Sequence, residues 1–404
     1  MASISPFHRL SRRRAILFGV AALGLLCFWP MAIANEPSAV VSPALQMVVE
    51  VTFRHGDQSR QVAGRVLAED DEGGVLLEEN DGRRWVIEAG DVEVRKETPR
   101  PFAPLTPQEL SSLLLQELPE GFHTHLTPHY VICTNTSRAY GQWAGSLMER
   151  LHRAFTNYWR GRGAEIVEPE FPLVVMVYAT RAQYQAASAE ELGTPETSII
   201  GYYSLATNRV SMYDLTGSAG LPGDGRRANL KSINQMLARP EAGPLVATVV
   251  HEATHQIAFN SGLGQRLADL PLWLVEGMAV YFEAPDLSSG RGWQGIGKVN
   301  YPRLETFRAN LASGNRLSLL ALVAEDAPLR NARTAPAAYA DAWAMNYYLI
   351  RHQPKQYVAY VKTLSEQKPL ETRTAEERIA LFRTHFGEPA EVEQAMLKRM
   401  ENVK

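Results

Sequence analysis

Apolar and polar residues alternate in short runs over 47–53, 64–67, 74–77 and 84–87, and Asp70-Asp71-Glu72-Gly73 and Asn80-Asp81-Gly82 stand between them. A period of two, broken by Gly, Asp and Asn, predicts hairpin-linked strands. Strands this short predict a small SH3-like barrel over 46–97, an accessory unit beside whatever follows. Pro99, Pro101, Pro104 and Pro107 then mark a linker over 98–107. Beyond it the pattern predicts strands at 129–134 and 172–178, a long amphipathic helix over 139–158, and a hairpin joining 198–203 to 209–213. From residue 245 onward the spacing is helical, with helices expected at 245–259, 270–284, 303–313, 336–352, 354–365, 375–385 and 389–402. A sheet-bearing half followed by a helical half is an α+β layout, expected as one domain over 108–404.

The first 34 residues break this pattern. Arg9, Arg12, Arg13 and Arg14 precede an apolar run over 15–29, and Ala32-Ile33-Ala34 supplies the small residues a signal peptidase reads. The run is short of the roughly 20 residues a bilayer span needs, so a cleaved export signal over 1–34 is expected, with a linker over 35–45. An uncleaved N-terminal anchor is the alternative. Ser11-Arg12-Arg13 raises the twin-arginine route, which Ala15 and Leu17 fit poorly. Cys27 follows Leu26 rather than a small residue, which argues against a lipoprotein signal. The expected location is therefore periplasmic or extracellular.

Composition adds little: 45% hydrophobic and 21% charged, ordinary for a soluble globular chain. Without the leader the chain carries 37 basic and 44 acidic residues, so no basic surface points to nucleic acid. Only Cys133 remains, which excludes an internal disulfide, and its apolar strand marks it as a core residue rather than a nucleophile.

The chemistry concentrates in His251-Glu252-Ala253-Thr254-His255, inside the helix expected at 245–259. Two histidines four apart lie on one helix face and can reach one Zn²⁺, with Glu252 beside the metal's water. Ala258 and Ser261 stand where the metzincin pattern needs Gly and a third His, and no histidine follows until His352. The third ligand is therefore expected to be a carboxylate. Glu276 is the best candidate, because Leu272, Trp273, Ala279 and Val280 surround it at helical spacing and a carboxylate on such a face needs a partner or a metal. Asp269 and Glu283 are weaker candidates. Gly277 would let this helix approach the motif helix closely. His123, His125 and His129 offer a second, less favoured metal group, and the acidic turns at 70–72 and 78–82 lack calcium-loop spacing.

His251-Glu252-x-x-His255, followed by Leu274-x-Glu276-Gly277-x-Ala279, resembles the gluzincin zinc metallopeptidases, which include thermolysin-like enzymes and zinc aminopeptidases. The chain is also similar to an uncharacterised secreted bacterial family of that clan, domain of unknown function 1570. The resemblance implies a gluzincin-like fold, zinc held by His251, His255 and Glu276, and Glu252 as general base. It further implies an oxyanion-stabilising Tyr, for which Tyr339 is the candidate and Tyr202, Tyr203 and His352 are alternates. The aminopeptidases' Gly-x-Met-Glu-Asn segment has no counterpart before His251, which favours an endopeptidase-like reading. The expectation is thus an exported zinc metallopeptidase acting on a peptide or protein substrate. A metallohydrolase of a non-peptide amide and an inactive peptidase-fold envelope binding protein are the alternatives.

Overall fold

A computed structural model describes residues 17–18, 46–192, 199–217, 229–283 and 295–404, and none of its helices is long and apolar enough to cross a membrane. The expected leader lies outside the described residues, except for strand β1 (Leu17–Phe18), whose backbone pairs with Ser204 and Tyr203.

The alternating N-terminal segment forms β2 (Met47–His55), β3 (Gln58–Glu69), β4 (Val75–Glu79), β5 (Arg84–Ile87) and β6 (Val92–Pro101). They make one antiparallel sheet in the order β5-β4-β3-β2-β6, coiled by bulges around Val51, Phe53, Val62, Val75, Leu77 and Ile87. The expected closed barrel is not formed, because no ladder joins β5 to β6 and the sheet stays open. The proline run ends in a helix start. Pro107 begins the helix Pro107–Glu117, capped reciprocally by Thr106 and Glu109.

A second, mixed sheet is built from β7 (His123–Leu126), β8 (Tyr130–Thr134), β9 (Leu173–Tyr178), β10 (Gly201–Ser204) and β11 (Arg209–Tyr213). Its order is β1-β10-β11-β9-β8-β7, with β8, β9 and β11 parallel and both flanking hairpins antiparallel. Central strands covered on two faces read as continuous apolar runs, and side chains of β8 and β9 divide between two cores. Ile132 and Val175 face the helix Arg138–Arg160 and the helical half, whereas Val131, Cys133, Val174 and Met176 pack on Leu110 and Leu114. Burial there pushes the Cys133 thiol up to about 12, which removes it as a nucleophile at neutral pH.

The C-terminal half is helical, and the seven expected helices begin and end within two residues of their expected bounds: Gly243–Asn260, Leu272–Phe282, Tyr301–Ser313, Ala335–His352, Pro354–Ser365, Ala375–Phe386 and Pro389–Met400; two short helices, Leu319–Ala324 and Ala327–Arg330, were not expected. The open sheet joins this body through a charged knot. Glu78, fully buried on β4, bonds Arg65 and Arg84 of its own sheet and Arg266 of the main body, the last at 2.8 Å. Burial opposes the charge on Glu78, yet Arg84, Arg266 and Arg65 hold its carboxyl below the ordinary range. Arg266 also donates to the carbonyls of Gly82 and Leu205, and the Arg84 backbone N–H donates to Ala206 at 2.7 Å. The small sheet is therefore fastened to the turn between β10 and β11.

Candidate metal centre

His251 and His255 project from consecutive turns of the motif helix Gly243–Asn260, which packs between β10, the helix Arg138–Arg160 and the helix Leu272–Phe282. Every residue of Leu272–Phe282 is buried, as a helix apolar all round must be, and Glu276 is its one charged member. That helix has no capping side chain of its own at Pro271. Asp326 serves from a distance, accepting the Leu272 N–H at 2.8 Å.

The three groups converge. His251 Nε2 stands 3.1 Å from both Glu276 Oε2 and His255 Nε2, and His255 Nε2 is 3.7 Å from Glu276 Oε2. All three residues are at most 2% exposed. Glu252, also buried, accepts the Tyr203 backbone N–H at 2.9 Å, so β10 orients its carboxylate. The motif helix is tied to the sheet a turn later, where Gln256 donates to the carbonyls of Val174 and Asn208.

Charge at this centre is strongly coupled. Burial disfavours an imidazolium at His251, but hydrogen bonds to Glu276 and Glu283 outweigh it and raise His251 to about 10. Burial and the neighbouring His251 charge push His255 down. Burial would raise Glu276, yet His255 and His251 hold it far below the ordinary carboxylate range. Two imidazoles and a carboxylate converging away from water call for positive charge at their centre. A divalent cation satisfies the same demand, and two imidazoles with one carboxylate form a donor set suited to zinc.

Glu283, a weaker ligand candidate in sequence, sits behind His251 instead of beside Glu276. Its Oε2 lies 3.2 Å from His251 Nδ1 and its Oε1 accepts from Asn300 Nδ2 at 2.8 Å. That is the carboxylate–histidine arrangement that fixes a ligand's tautomer. Glu283 follows Glu276 by two helical turns, a spacing visible in the sequence, whereas Asn300 had no local signal. Asp269 is elsewhere, bonded to Arg378 at 2.6 Å.

Tyr339, in the first turns of Ala335–His352, is drawn to the centre. It is buried, and burial with the nearby Glu276 carboxylate raises its pKa well above the usual phenol value. Arg303 stacks over its ring at 5.4 Å. The alternates are engaged otherwise. Tyr202 donates to Glu191 at 3.0 Å, the Tyr203 hydroxyl donates to Asn208 at 2.8 Å, and His352 lies against Tyr348. Gly277 faces the helix Ala335–His352 and not the motif helix that the sequence suggested: a Cβ there would overlap Asn346 Nδ2 and fall 2.6 Å from the Ala342 carbonyl. His123 and His125 lie on β7, and neither belongs to a converging ligand group among the described residues.

Residues 245–371 match the model of a family described as a protein of unknown function (DUF1570). The match takes in both motif histidines, Glu252, Glu276 and Tyr339. Comparison with curated proteins gives no match.

Proposed function

We propose that this chain is a zinc-dependent metallopeptidase of the gluzincin type, with the metal held by His251, His255 and Glu276. The observation that carries the reading is the convergence of two imidazole nitrogens and one carboxylate oxygen within 4.8 Å of one another, beside a second carboxylic residue, Glu252, held by a backbone N–H. When bound there, zinc would make a coordinated water acidic near neutral pH and polarise a substrate carbonyl. Glu252 would accept a proton from the attacking water on its carboxylate and give it up to the leaving amine. Tyr339 would donate its hydroxyl to the developing oxyanion. Glu283 keeps His251 in the tautomer whose Nε2 is free to ligate. A purely structural zinc site has no use for Glu252. The same residues would serve hydrolysis of a non-peptide amide, and the substrate pool decides between the two.

A second reading has one observation in its favour. The centre is buried, with His251, Glu252, His255 and Glu276 at most 2% exposed, which leaves little of it for a peptide to touch. A closed site suits an export-compartment binding protein with a catalytically silent zinc. Digestion of a complex peptide pool by the purified chain, with mass-spectrometric readout, separates the readings. Peptidase chemistry requires cleavage that Glu252→Gln abolishes while zinc content stays. Stoichiometric zinc with no cleavage by the unaltered chain would leave only the silent site.

A further inference from the structure

Away from the motif, a second pair of histidines and a carboxylate come together. His129 precedes β8, His152 lies on the helix Arg138–Arg160, and Glu168 stands in the segment that leads to β9. One ligand atom from each falls within 4.8 Å of the other two, and His129 Nε2 is 3.5 Å from Glu168 Oε2. Glu149 holds the His129 ring from behind. Its Oε2 lies 2.8 Å from Nδ1, and its Oε1 accepts the His129 N–H at 2.8 Å and the Thr127 hydroxyl at 2.7 Å. A carboxylate on Nδ1 fixes the proton there in a neutral ring and leaves the Nε2 lone pair directed at Glu168.

His152 supplies the independent sign of a ligand. It is 4% exposed, and its Nε2 has no hydrogen-bond partner. Buried imidazole nitrogens are normally satisfied, and this one belongs to a ring with a ligand atom within 4.8 Å of another imidazole's and a carboxylate's, so the cluster calls for a cation. Arg160 bonds the other oxygen of Glu168 at 2.9 Å and leaves Oε2 for that cation. Glu168 and part of His129 are open to solvent, which gives an ion a path in.

We propose that His129, His152 and Glu168 form a second divalent-cation site, with Glu149 orienting His129, distinct from the motif centre. Two imidazoles and one carboxylate with positions left for water suit zinc or another borderline first-row ion. The two rings stack at 4.0 Å and 27°, so the half-exposed His129 ring must tilt to share an ion with His152. The site stands whether or not the motif centre hydrolyses anything.

Zinc titration of the chelator-stripped full chain, followed by metal analysis, tests this. The unaltered chain should take up about two equivalents, one at each centre. Glu168→Gln replaces an exposed side chain and leaves the fold intact by circular dichroism; it should weaken one equivalent by about tenfold or more. His129→Ala should do the same, and both should leave the equivalent lost in His251→Ala untouched. Uptake of a single equivalent that His251→Ala abolishes and Glu168→Gln keeps would overturn the proposal. Isotherms of Glu168→Gln and His129→Ala that superimpose on the unaltered chain's would overturn it as well.

Discussion

Glu283, partly buried, and Asp341, fully buried, are carboxylates whose roles differ because their partners differ. Glu283 meets His251 Nδ1 at 3.2 Å, so it governs how well that imidazole can ligate. Replacing it by Ala is expected to lower zinc affinity about 10- to 100-fold with the fold retained, read by competition with a chromogenic chelator. Unchanged affinity would make Glu283 a bystander. Asp341 is 1% exposed, accepts the Leu317 N–H at 3.0 Å, and sees Arg316 only at 3.8 Å. Burial therefore wins and raises its carboxyl to about 7. Because the folded state binds this proton more tightly than the unfolded chain, the contribution is full below the unfolded value near ~4 and is lost as pH rises to about 7. Asp341→Asn should remove that decline. Unfolding free energies of the two proteins from urea titrations should diverge by roughly 2–4 kcal/mol between pH 4 and 8, and parallel curves would rule the effect out.

At the scale of elements, the placing of Glu276 at the candidate metal centre depends on how closely Leu272–Phe282 lies on Ala335–His352. Gly277 permits that approach, and Asn346 stitches it by donating to the carbonyls of Trp273 and Ala342 at 2.8 Å each, while accepting from the Tyr357 hydroxyl. Gly277→Ala must push the helices apart, and a loss of about 3 kcal/mol is expected from thermal unfolding, together with weaker zinc binding as Glu276 moves. A variant as stable as the parent would show that the contact yields cheaply. Much at this scale was legible in the sequence. The helices from 245 onward follow from apolar spacing, and Glu276 stands out because a lone carboxylate interrupts an unbroken apolar face. The partner of Gly277 was not legible, since spacing shows that a face is close-packed without naming what packs on it. His152 escaped for the same reason: its companions His129 and Glu168 come from other segments. The open sheet differs from the expected barrel because alternation predicts strands and hairpins, whereas closure depends on whether the first and last strands meet.

For the whole molecule, the question is what binds the N-terminal sheet to the helical body. Arg266 is 2% exposed and reaches Glu78, Gly82 and Leu205, so one side chain spans both parts. Burial lowers its pKa to about 10, which still leaves it charged at neutral pH. Arg266→Ala leaves buried polar groups short of a partner and should cost about 3–5 kcal/mol. Calorimetry is expected to turn one unfolding transition into two, the N-terminal sheet melting first. A single transition at the parental temperature would mean that the two parts are held by something else.

The Glu78–Arg266 contact joins residues 188 positions apart. As the chain emerges in order, β4 is complete long before Arg266 exists to neutralise its buried carboxylate. Until then Glu78 has only Arg65 and Arg84, and the β10–β11 turn lacks the main-chain bond from Arg84. Folding therefore cannot finish from the N-terminus outward. Its last steps wait on a loop closure of long sequence separation, which topology makes slow.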